Sequence, residues 1–145
     1  MVYNIINEED IVEAYAYFLK RKITGFDFND DALWEWLDLA FELFSEITSK
    51  FSGEEINRLL EEAGISGYAN ISAIWKIPRD YLELEDILRR KPYLLYFRFS
   101  PEKTKKDAEL ILRGLELSYY IFFGDKRTLY KKVNDHIKKS SSVLL

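Results

Sequence analysis

A chain of 145 residues and 17.2 kDa fits one domain built on one core. With 48% hydrophobic and 32% charged residues it belongs among globular chains with a heavily ionised surface, and disorder is excluded for most of its length. The absence of cysteine removes disulfide frameworks, thiolate zinc sites and cysteine nucleophiles. With no basic leader and no run of about 18 apolar residues, the expectation is an intracellular chain lacking a signal peptide or membrane span.

Asn7 and Asp10 form a capping pattern ahead of Ile11, Ala14, Tyr15, Phe18 and Leu19, which recur at helical spacing and predict a helix over residues 8–22 stopped by Gly25. A second start signal at Asn29, Asp30 and Asp31 opens the longest amphipathic stretch, residues 30–51. On a helix, Trp36, Leu37, Ala40, Phe44, Ile47 and Phe51 share its core face, and Trp34, Leu39, Phe41 and Leu43 widen the apolar arc toward a second neighbour. Trp34 and Trp36 lie about 200° apart, so one of them is expected at the edge. The opposite face carries Asp31, Glu35, Asp38, Glu42 and Glu46 in a single acidic ridge.

Ser52 and Glu55 form a capping box for a short helix carrying Ile56, Leu59 and Leu60, closed by Gly64. The pattern weakens between Gly64 and Pro78, and another short helix is expected from Asp80 to the basic run Arg89, Arg90 and Lys91 before Pro92. Residues 93–99 read equally well as a strand, for which only residues 2–6 offer a partner, or as a helical turn. Ser100 and Pro101 are an N-cap and a first-position proline for a helix carrying periodicity to Gly124. Asp125 opens a basic last helix with Leu129, Val133 and Ile137, and residues 140–145 are expected to fray. The sum is an all-α single-domain bundle over residues 1–139, with four main helices (the first, second and last two) and short crossover helices between them.

The modest net charge of −4 hides a polarised sequence: residues 1–72 hold 15 acidic and 5 basic side chains, residues 73–145 hold 10 acidic and 16 basic. If the halves occupy different faces, the molecule has an acidic side and a basic side. The acidic ridge is then either an ordinary solvated face or a surface that competes with nucleic acid for a basic groove. Trp34 is either core or a partner anchor beside that ridge. Arg89, Arg90, Lys91, Lys131 and Lys132 form a secondary basic surface, but a pI near 5.2 and the lack of a DNA-reading motif argue against nucleic acid as the main partner.

Chemistry finds little support. His136 is the single histidine, in a lysine-rich helix with no ligand spacing nearby, so neither a Ser–His–Asp site nor a di-metal carboxylate bundle can be assembled. Glycine-rich phosphate loops are absent. Glu83, Glu85 and Asp86, or Asp107 with Glu109, read more simply as solvent-facing helix charges than as a magnesium site. No catalytic residue, metal or cofactor is expected, and the chain reads as a non-enzyme.

The lack of cysteine and glutamine, the single methionine, the dominance of Lys and Glu and the abundance of Tyr and Phe match the bias reported for hyperthermophile proteins. Together with its length, acidity and helical layout, this composition resembles a small family of archaeal viral proteins, the RNA polymerase inhibitory protein of the two-tailed archaeal virus and a related virion protein. The resemblance is one of whole-chain style and transfers no residue by position. It implies a helical bundle that acts in the cytoplasm of the host cell, enters the DNA-binding channel of host RNA polymerase and blocks transcription through protein contacts. The ridge Glu35, Asp38, Glu42 and Glu46, with Trp34 at its edge, is the expected contact. A structural or assembly protein of an archaeal virion is the alternative, favoured by abundant aromatics and split charge.

Overall fold

The computed structural model describes residues 6–65, 71–90 and 99–143, with side chains described for residues 74–85 of the second segment and through residue 140 of the third. Within them lie six helices and no strand: α1 (Glu8–Thr24), α2 (Asp31–Lys50), α3 (Gly53–Glu62), α4 (Ile71–Arg90), α5 (Pro101–Phe122) and α6 (Lys126–Val143). The all-α bundle is therefore the fold. The strand considered for residues 93–99 and its partner 2–6 fall almost wholly outside the described residues.

Local chemistry sets most helix ends. Asn7, Asp30, Ser52 and Ser100 each accept a backbone N–H of the first turn that follows, and Ser52 with Glu55 completes a reciprocal capping box. Gly25 (φ 81°) and Gly64 (φ 71°) take left-handed conformations that let the chain leave α1 and α3 without a Cβ penalty. The carbonyl of Gly64 accepts from Lys126 Nζ at 2.7 Å, tying the end of α3 to the start of α6.

One expectation requires correction. The segment before Pro78 belongs to a 20-residue α4 that runs straight through the proline. Proline removes one i→i−4 hydrogen bond and crowds the preceding turn at a cost of about 3 kcal/mol, which is why the sequence pattern stops there. The offset is a continuous buried stripe, Ile74, Ile77, Pro78, Tyr81 and Leu84, whose members each contribute on the order of 1.5–3 kcal/mol. Among the described residues the bundle accordingly has five long helices, with α3 as a short cap.

The principal core joins residues of α1, α2, α4, α5 and α6, among them Phe18, Leu37, Phe44, Ile74, Ile111, Leu115 and Leu129. A smaller cluster of Ile47, Ile56, Leu60, Ile65 and Leu117 seats α3, and Trp75 packs against both. At the tightest crossing, a Cβ on Gly114 of α5 would stand 2.4 Å from Phe44 Cζ and 2.7 Å from Ile74 Cγ2. Only glycine lets α2 and α4 approach α5 this closely.

The aromatic residues are spent mainly inside. Phe26 and Phe28, in the turn between α1 and α2, join Tyr81, Phe99 and Trp34 in one ring cluster, with Tyr81 and Phe99 centroids 4.4 Å apart. Among the described large apolar side chains only Ile23, Phe123 and Ile137 are exposed.

Candidate functional site

The outer face of α2 follows from its sequence period. Because Leu33, Leu37, Ala40, Phe44 and Ile47 turn inward, positions 31, 35 and 38 must turn outward, and Asp31, Glu35 and Asp38 are exposed there without an ion-pair partner among the described residues. At 1.5 Å rise per residue these three carboxylates span about 10 Å of helix, close to the screening length of about 8 Å at physiological ionic strength, so they act on an approaching charge almost as one. The other two members of the predicted ridge sit lower: Glu42 and Glu46 are half-buried, and Glu46 pairs with Lys50 at 2.9 Å. The ridge thus has an open end, residues 31–38, and a more enclosed end.

Trp34 borders the open end but does not stand free. Its indole N–H donates to the Phe28 carbonyl at 3.2 Å, and its ring lies 5.9 Å from that of Phe28. Trp36 is also half-buried against the principal core, so both tryptophans, and not one alone, sit at the core's edge. The wide apolar arc is used on both flanks, since α2 meets α1, α4 and α5, and the α1–α2 turn covers Trp34 as well.

Elsewhere carboxylates are tied down in a repeated arrangement. Buried Glu116, 1% exposed, accepts from the Tyr15 hydroxyl at 2.7 Å and from Arg113 at 3.0 Å. Asp107 accepts from Tyr81 at 2.6 Å and Lys103 at 2.8 Å; Glu8 accepts from Tyr119 and Lys132, both at 2.7 Å. Asp30 accepts from Tyr17 at 2.8 Å, with Arg21 3.6 Å away. In each case a phenol and a cation share one carboxylate. Burial first, then the adjacent carboxylate, pushes the hydroxyls of Tyr15, Tyr17 and Tyr81 far up and that of Tyr119 to about 12. Hydrogen bonds from Lys132 and Tyr119 hold the Glu8 carboxyl below its ordinary range.

These ties correct one further expectation. Asp107 is not a solvent-facing charge: it is 5% exposed and satisfied by Tyr81 and Lys103, a partnership across 26 residues that local spacing does not reveal. The condition for an acidic side and a basic side, that the two halves of the sequence occupy different faces, is not met where the first helix lies. α1 packs chiefly along α5 and also on α6, and Lys132–Glu8 and Lys22–Glu109 pair across the halves.

Only two side chains of the expected secondary basic surface lie among the described residues. Lys131 is exposed, Lys132 is engaged by Glu8, the side chains of Arg89 and Arg90 and all of Lys91 lie outside what is described. His136, which has no ligand-spaced neighbour in sequence, faces Glu9 and Glu13 of α1, with Nδ1 3.8 Å from Glu9 Oε1. That grouping joins positions more than 120 residues apart, and only the antiparallel meeting of α1 and α6 could have exposed it.

No protein-family model, curated protein or solved structure matches this chain. No helix among the described residues is long and apolar enough to cross a membrane.

Proposed function

We propose that the chain is a non-enzymatic protein-binding inhibitor that sets the outer face of α2 against a basic groove. Asp31, Glu35 and Asp38 are the centre of that face, with Trp34, Glu42 and Glu46 at its margins. The resemblance to archaeal viral inhibitors makes the groove the DNA-binding channel of host RNA polymerase, and transcription the process blocked. The reading is carried by one observation, the exposed carboxylates of residues 31, 35 and 38, unpaired among the described residues, in a molecule that ties several other carboxylates to tyrosine and cation partners.

Magnitudes limit what the row does alone. Duplex DNA carries one charge per about 1.7 Å of axis, about twice as dense as three charges in about 10 Å of helix. Charge therefore steers the encounter, while holding the channel against DNA requires additional contact area around the row. Against a virion role, the described aromatic residues lie mostly in the core and the α1–α2 turn, and among the described large apolar side chains only Ile23, Phe123 and Ile137 are exposed.

The test is transcription by purified host polymerase with the protein added before or after promoter DNA. Stoichiometric binding and inhibition that weakens when DNA is bound first are expected. Ordered homo-oligomers that neither bind polymerase nor slow transcription would overturn the proposal in favour of an assembly protein.

A further inference from the structure

We propose that Glu9, Glu13 and His136 form a binding site for one divalent transition-metal ion of the zinc class, clamping the first turns of α1 to α6. A ligand atom from each of the three lies within 4.8 Å of the other two. Glu9 and Glu13 are one turn apart on α1 and so project from the same face, while the imidazole comes from the opposing helix. Buried Val12 and Ala14 on α1 and Leu129 and Val133 on α6 hold the backbones in place, so the frame of the site is set by the core rather than by the ligands themselves.

The contact already present is a poor one. At 3.8 Å the His136 Nδ1 to Glu9 Oε1 distance is beyond hydrogen-bonding range, and the pair is held only by charge when the imidazole is protonated. Two carboxylates one turn apart repel each other, and a bound dication removes that repulsion. Tetrahedral coordination with bonds of about 2.0–2.1 Å puts ligand atoms roughly 3.4 Å apart, so the three atoms need close by little more than about 1 Å. Glu9 is exposed and Glu13 and His136 are half-buried, which leaves their side chains free to make that adjustment.

Competition and selectivity follow from the surroundings. Lys132, one turn before His136, is the cation best placed to neutralise these glutamates, but Glu8 holds it at 2.7 Å with Tyr119 on the other carboxylate oxygen. The positive end of the α1 dipole, equivalent to about half a charge, opposes a cation but is outweighed by two full carboxylate charges. One imidazole with two carboxylates suits zinc, cobalt or nickel, whereas magnesium and calcium prefer oxygen alone. Three protein ligands leave at least one position to water, as in open zinc sites.

The experiment is titration of the metal-free full chain with Zn²⁺, Co²⁺ and Mg²⁺, followed by calorimetry, thermal unfolding and the visible absorption of bound Co²⁺. Expected are one Zn²⁺ or Co²⁺ per chain, a raised unfolding midpoint and no response to Mg²⁺. His136→Ala and Glu13→Gln should each weaken binding by about tenfold or more, since loss of an outer partner alone costs that much at other metal sites. Both positions are at the surface, and far-ultraviolet circular dichroism of the metal-free variants checks that the helices persist. Absence of Zn²⁺ binding, or binding that His136→Ala leaves unchanged, would overturn the proposal.

Discussion

Glu8, Asp107 and Glu116 each lie between a tyrosine hydroxyl and a basic side chain, whereas Asp31, Glu35 and Asp38 on α2 face solvent with neither. The first group connects helices distant in sequence: α1 to α5 and α6, and α4 to α5. The second connects nothing among the described residues. Charges used for folding are thus shared between a phenol and a cation, whereas the row on α2 holds three exposed carboxylates along about 10 Å of one helix. The difference separates residues whose loss is felt as stability from residues whose loss should be felt only in binding.

The sharpest contrast lies within α2 itself. Phe44→Ala on its inner face should cost about 3–5 kcal/mol by chemical denaturation, because the ring fills the space between Trp75 and Gly114. A cost below about 1 kcal/mol would mean that the inner face is misassigned. Gly114→Val approaches the same contact from α5, and overpacking against Phe44 and Ile74 should cost about 1–3 kcal/mol even though valine gains in helix propensity.

Next in size is the tied group. Glu116→Ala removes the acceptor of the buried Tyr15 hydroxyl, with an expected loss of about 1–3 kcal/mol. Glu116→Gln keeps an acceptor oxygen and should cost less; Arg113, part-exposed, regains water in either variant. Equal losses for the two would show that the charge, rather than the hydrogen bond, is what the fold uses.

The same group sets the pH response. A phenol whose folded value is raised contributes stability that is whole below its ordinary value of 10 and is lost as pH climbs toward the folded value, about 12 for Tyr119. Thermal midpoints should therefore fall from about pH 10 upward, and less steeply in Tyr119→Phe. Glu8 works in the opposite direction: its lowered value contributes stability that is present above its ordinary 4.5 and fades as the solution is acidified below that.

Smallest in stability is the open row. Asp31→Asn, Glu35→Gln and Asp38→Asn should each change unfolding free energy by no more than about 0.5 kcal/mol, measured in the same denaturant series as Phe44→Ala. A combined loss of several kcal/mol would erase the contrast by showing that the row is structural.

Much of the fold was legible because its signals are local. Caps at Asn7, Asp30, Ser52 and Ser100 and stops at Gly25 and Gly64 act within one turn, and the inward stripe of α2 follows from period alone. Pro78 hid α4 because a local breaker outvoted a stripe whose worth depends on burial by other helices. The acidic row was visible from spacing, yet the split into an open end and an enclosed end at Glu42 and Glu46 was not, since pairing and burial depend on what lies beside the helix. The Tyr–carboxylate–cation sets and the Glu9–Glu13–His136 group mostly join positions far apart in sequence, where neither period nor spacing carries a signal.

The most direct test of the central claim is the affinity of the parent and of the Asp31→Asn, Glu35→Gln, Asp38→Asn triple variant for purified host RNA polymerase, measured across a salt titration. The account predicts weaker binding by the variant at low salt, mostly through a slower on-rate, and convergence of the two curves as salt screens the row. Identical affinities at every salt concentration, with both proteins folded, would contradict it.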